Sequence, residues 1–121
     1  MSKRHQTKIR AVRRAKFADQ QGRCHYCRQA MWEGHPEEFA SRHAFSLAQA
    51  FLLRSTAEHL VPHGCGGADS APNIVAACWY CNAHRHRSAR PLLPDAYQAK
   101  VLKRMVVGRW HGLKTEQAGT S

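Results

Sequence analysis

Acidic residues are scarce in this sequence: eight Asp and Glu stand against 19 Lys and Arg in 121 residues, for a formal charge of +11. Long apolar runs are missing as well. No stretch of about 18 apolar residues occurs, which excludes a membrane-spanning helix. Met1 to Arg14 is basic and polar without an apolar stretch, so no secretory signal is expected. The basic segments also lack a strongly apolar opposite face bearing Trp or Phe, which argues against a membrane-surface role. An even cysteine count is absent too. Five cysteines in a chain without an export signal argue against a disulfide framework and for a cytoplasmic location. There is no internal repeat and no low-complexity tract.

What is present is a single domain's worth of chain over residues 1–121, 43% apolar, with three Trp, four Phe and three Tyr for a small core. The charge is concentrated at both ends: residues 1–28 carry +8, residues 29–83 carry −3 and residues 84–121 carry +6. Two basic flanks around a near-neutral centre suit a polyanion gripped from both sides, most simply nucleic acid. Four of the cysteines form two pairs, Cys24-His-Tyr-Cys27 and Cys78-Trp-Tyr-Cys81. Each CxxC turn directs two thiolates at one ion, and two turns complete a tetrahedral zinc site. The 50 residues between Cys27 and Cys78 exceed what a compact zinc ribbon uses, so an element is inserted between the knuckles. Cys65 has no assigned role.

The periodicity predicts a basic N-terminal helix over residues 7–21, with Ile9, Val12 and Phe17 on one side and Gly22 ending it. Pro36 to Ser55 reads as a second helical stretch, with Glu37 and Glu38 in its first turn and a core-facing stripe of Phe39, His43, Leu47 and Phe51. Thr56–Pro62 reads as a strand, His63–Pro72 as a Gly-rich loop and Asn73–Ala77 as a second strand. Trp79 then begins a helix to Arg87, and Asp95 is expected to cap a last helix to about Val107. Gly119–Ser121 is expected to fray.

This order of strand, loop, strand and helix places Glu58 and His59 on the first strand, Asn73 at the start of the second and Asn82 at the start of the helix. A hairpin followed by a helix can gather these four residues around one small site. Successive strand residues point to opposite faces, so Glu58 and His59 can share that site only at a bend or a strand end. The segments Glu58-His59-Leu60-Val61-Pro62, Gly66-Gly67, Asn73-Ile74 and Cys78-Trp79-Tyr80-Cys81-Asn82 together resemble the HNH endonuclease family in its four-cysteine, zinc-containing form. The resemblance covers about residues 22–87, and the His59–Asn73 and Asn73–Asn82 intervals of 14 and 9 both suit it.

The resemblance implies an α+β fold: a small ββα-metal core with a two-knuckle, four-cysteine zinc site at residues 22–90, a helical insert at about 36–55, and flanking basic helices at 1–21 and 95–107. It implies a metal-dependent endonuclease that hydrolyses DNA phosphodiester bonds. His59 would be the general base, since an unperturbed imidazole is largely neutral at cytoplasmic pH. Asn73 would orient it through its side-chain amide. Glu58 and Asn82 would hold a catalytic Mg²⁺ or Mn²⁺ through oxygen atoms, with His84 or His86 as the alternative ligand. Glu58 stands where the family more often has Asp. Cys24, Cys27, Cys78 and Cys81 would hold structural Zn²⁺. Arg10, Arg13, Arg14, Arg85, Arg87, Lys100, Lys103 and Arg104 are the expected DNA-phosphate contacts. The competing reading is a zinc-stabilised nucleic-acid-binding module without catalysis. It fits the flanks and the cysteines equally well, and only Glu58, His59, Asn73 and Asn82 discriminate against it.

Overall fold

In the computed structural model, residues 2–115 are described; the C-terminal residues 119–121, expected to fray, lie outside them. Helix α1 runs over Lys3–Asp19, starting earlier than its apolar pattern does because Ser2 caps it by accepting from the His5 N–H. It stops where Gln21 and Gly22 turn left-handed, at φ 56° and 73°, and the Gly22 N–H returns to the Phe17 carbonyl. Ile9, Val12 and Phe17 are only partly buried, so α1 lies against the two strands as a surface helix.

The stretch expected to be one helix is two. Helix α2 covers Pro36–His43 and ends at Ala44, whose φ of 58° is left-handed. Ser46 then opens α3, Leu47–Leu52, with a capping box in which Ser46 and Gln49 satisfy each other's backbone N–H groups. This restart shifts the helical phase and breaks the expected stripe. Phe39 is buried, but Leu47 and Phe51 are each 50% exposed, and Ala50 and Leu53 turn inward instead.

Strands β1 (Ser55–His59) and β2 (Ile74–Cys78) pair antiparallel, with Glu58 opposite Val75 and His59 opposite Ile74. Helix α4 (Trp79–Arg85) leaves β2 directly and packs back on both strands. The expected fold class is therefore observed, a ββα unit with the cysteines clustered at its base. Helix α5 occupies Pro94–Val106; Leu93 rather than Asp95 is its N-cap, and Asp95 sits within the first turn, where its charge favours the helix dipole. Among the described residues no helix is long and apolar enough to cross a membrane.

The loop between the strands is shaped by Asn73 and Gly67. Asn73 Oδ1 accepts the Val61 N–H at 2.9 Å, while its Nδ2 donates to the carbonyls of Val61 and Ala68, both at 3.0 Å. Gly67 passes so close beneath that a Cβ there would lie 1.7 Å from the Val61 carbonyl oxygen. Only glycine allows that approach.

Candidate active site and metal centre

The knuckles come together as expected. The thiols of Cys24, Cys27, Cys78 and Cys81 are all buried, and their sulfurs lie within 4.8 Å of one another. Cys27 and Cys78 are 4.0 Å apart, near the roughly 3.8 Å edge of a tetrahedron with 2.3 Å zinc–sulfur bonds. Backbone N–H groups of Tyr26 and Cys78 point at Cys24 Sγ, and that of Cys81 at Cys78 Sγ, which stabilises negative sulfur. Burial opposes ionising Cys24, but hydrogen bonds from Cys27, Cys78 and Cys81 outweigh it and hold that thiol well below its ordinary range. Burial, followed by the interactions with Cys24 and Cys27, pushes Cys78 and Cys81 up. Four packed thiols cannot all ionise without a cation, and a divalent ion is the natural complement to this set. Trp110 Nε1 donates to Cys81 Sγ at 3.3 Å, and Tyr97 Oη donates to the Cys81 carbonyl at 2.6 Å, so the chain after α4 closes over the knuckle.

At the other end of the sheet, a cleft of about 310 Å³ is lined by Ala57, Glu58, His59, Pro62, His63, Gly64, Asn82 and His86. A larger cavity of about 910 Å³ between the end of α1, α2 and Lys114 contains none of the expected catalytic residues. His59 is the last residue of β1, and this strand end lets it share a cleft with its neighbour Glu58. Asn82 comes from the first turns of α4 and donates through Nδ2 to Thr56 Oγ1 and the Ala57 carbonyl; its Oδ1 makes no hydrogen bond among the described residues.

Glu58 is 1% exposed. Its Oε2 accepts from Tyr26 Oη at 2.9 Å and Arg85 Nη1 at 3.0 Å, and its Oε1 lies 2.7 Å from His86 Nε2. Of the two alternative ligands, His86 thus reaches the carboxylate. His84 turns elsewhere: its ring stacks on Tyr80 at 3.8 Å, and Nδ1 bonds the Tyr80 carbonyl. Burial lowers its pKa.

Arg85 requires a correction. It was expected at the phosphate surface but is 3% exposed, with its guanidinium committed inside the protein. Besides Glu58 it donates to the backbone carbonyls of His59, Leu60 and Leu92. A guanidinium so enclosed has no donor left for DNA. Arg13 pairs with Glu33 at 2.8 Å. Arg10, Arg14, Arg87, Lys100, Lys103 and Arg104 are exposed. The Asn73 amide binds loop backbone and not the imidazole of His59, so its influence on that ring runs through the loop.

The partner of the His59 ring is a residue the motif reading passed over. His59 Nε2 lies 2.6 Å from Asp69 Oδ1, and the second oxygen of Asp69 bonds His5 Nε2 from α1, with His63 Nε2 at 3.5 Å. Hydrogen bonds from His59 and then His5 hold the Asp69 carboxyl at about 2. Tyr26, Asp69 and His5 were thus unread in the sequence, and Arg85 was read for a different role. The i, i+4 relation of Cys81 to Arg85 and of Asn82 to His86 was the available signal for the α4 residues.

Residues 48–88, about a third of the chain, match the family model HNH endonuclease, which bears out the resemblance carried by Glu58-His59, Gly66-Gly67, Asn73 and Cys81-Asn82. No curated protein and no solved structure matches this chain.

Proposed function

Taking residues 48–88 as an HNH segment, we propose that the protein is a metal-dependent endonuclease that hydrolyses DNA phosphodiester bonds. The observation that carries this reading is the convergence of Glu58, His59, Asn82 and His86 on one cleft at the end of a ββα unit. His59 takes the proton from the attacking water, a role that suits an imidazole at neutral pH. Glu58 Oε1, Asn82 Oδ1 and His86 Nε2 are the groups that would hold a divalent ion. Carboxylate and amide oxygens fit Mg²⁺ or Mn²⁺, and the imidazole shifts the preference towards a transition metal. Such an ion, when bound, stabilises charge on the leaving 3′-oxygen. Tyr26 and Arg85 fix Oε2 of Glu58, leaving Oε1 as the oxygen turned to His86. Cys24, Cys27, Cys78 and Cys81 hold one structural zinc. Exposed Arg10, Arg14, Arg87, Lys100, Lys103 and Arg104 contact backbone phosphates, which gives affinity without sequence information.

One observation favours the alternative of a zinc-stabilised binding module without catalysis: Glu58 is already charge-paired with Arg85 in a nearly closed environment. Supercoiled-plasmid cleavage separates the two readings. Zinc-loaded wild type is expected to nick with Mg²⁺ or Mn²⁺, to stop with EDTA, and to lose activity but keep DNA binding as His59→Ala. Equal cleavage by wild type and variant would remove His59 as the base. DNA binding by wild type without cleavage under any metal would leave the binding module.

A further inference from the structure

Three histidines from three parts of the chain converge on Asp69: His5 from α1, His59 from the end of β1, and His63 from the loop. The side chain of Asp69 is 12% exposed and that of His59 is 20% exposed, so the contact is shielded from bulk water. A loop fastener would be the simple explanation for such a carboxylate, but this loop is already closed without it. Asn73 supplies three hydrogen bonds across it, and the Gly67 N–H reaches the Pro62 carbonyl at 3.0 Å. The contact from Asp69 to His59 therefore calls for another reason.

We propose that Asp69 is a positioning residue for the base: its Oδ1 accepts the Nε2–H of His59 and fixes the ring with Nδ1 as the proton acceptor. This rests on the nuclease reading of His59. An ionised carboxylate only accepts hydrogen bonds, so the proton of the bond belongs to the imidazole. Nδ1 of His59 makes no hydrogen bond among the described residues, and the ring lines the cleft that holds Glu58 and Asn82. As the O–H bond of the attacking water breaks, its proton passes to Nδ1, and His59 becomes an imidazolium beside the carboxylate. The same carboxylate that sets the tautomer then stabilises the charge that forms, as in hydrolases that orient a histidine with an aspartate. Through Oδ2, Asp69 also meets His5 of α1, which does not line the cleft.

The test is Asp69→Asn and Asp69→Ala in the full, zinc-loaded chain, beside His5→Gln. For Asp69→Asn the kcat for DNA nicking is expected to fall at least about 10²-fold, in line with loss of an oriented general base. KM, DNA affinity and zinc content should be unchanged. His5→Gln removes the other arm of the contact and should keep kcat. In ¹⁵N-labelled wild type a slowly exchanging His59 Nε2–H resonance is expected, and it should vanish in Asp69→Ala. A kcat loss under about tenfold in Asp69→Asn, with wild type active, would overturn the positioning role and leave the nuclease reading intact. Absence of the Nε2–H resonance in wild type would also overturn it. Wild type inactive on every substrate would overturn both.

Discussion

Replacing Arg85 by Met isolates the electrostatic problem at the centre of this fold. Arg85 and Glu58 have side chains only 1% exposed, and the guanidinium also serves the carbonyls of His59, Leu60 and Leu92. Met keeps most of the aliphatic stem but removes every donor. Glu58 would remain buried without its cation, and three carbonyls would lose a partner. Removing one member of a buried pair costs about 3–5 kcal/mol, most of it the penalty of the stranded charge. Tyr26 and His86 still bond Glu58 in the variant, which places the expectation at the lower end, about 3 kcal/mol. Against a domain stability of about 5–15 kcal/mol this is a large loss. Urea unfolding at fixed free zinc measures it. The same substitution in a Glu58→Gln background should cost much less, because no charge is then stranded, and the double-mutant cycle gives the coupling. A loss under about 1 kcal/mol, or full additivity in the cycle, would refute the argument that Arg85 is an internal counter-ion.

Gly67→Ala should destabilise the loop by about 1–3 kcal/mol, because its Cβ would meet the Val61 carbonyl at 1.7 Å, whereas Gly64→Ala, which meets open space, should leave the melting temperature unchanged. Elemental analysis is expected to find one zinc per chain, and its removal by a strong chelator should abolish cooperative unfolding. Stability should fall on acidification between pH 6.5 and about 4 because burial lowers the pKa of His111 to about 4. The unfolded chain then binds a proton that the folded one refuses, so this contribution is complete above 6.5 and lost towards 4; a His111→Phe variant should flatten that limb of the pH–stability curve. His86→Ala should weaken Mn²⁺ binding at least about tenfold by calorimetry while His84→Ala leaves it unchanged.

The ββα unit and the metal cluster were legible because both rest on short-range signals. CxxC turns, a Gly-Gly loop and strands bounded by turn formers fix local geometry wherever they occur. Helix phase was legible in principle but read too coarsely. Ser46 and Gln49 spell a capping box inside the apolar stripe of residues 39–51, and that local signal overrode the longer periodicity. Asn82 on α4 and His86 at its C-cap lie one turn apart, so helical geometry alone prefers His86 to His84 beside Asn82. Arg85 misled because an arginine in a basic chain is ordinarily solvated. Its burial depends on Glu58, 27 residues earlier, and on the chain returning at Leu92. Asp69 and His5 meet across 64 residues, a separation over which no local pattern carries information.

Tyr26 stands between the two cysteines of the first knuckle, and its hydroxyl ends on the carboxylate of Glu58. A single aromatic ring therefore spans the distance from the thiol cluster to the cleft. An ion that draws Cys24 and Cys27 into register also sets the height at which that ring presents its hydroxyl, and so the seat of Glu58. The two ends of the sheet are consequently one mechanical unit: in a preparation short of zinc, the seat of Glu58 would be lost in step with the metal, chain for chain.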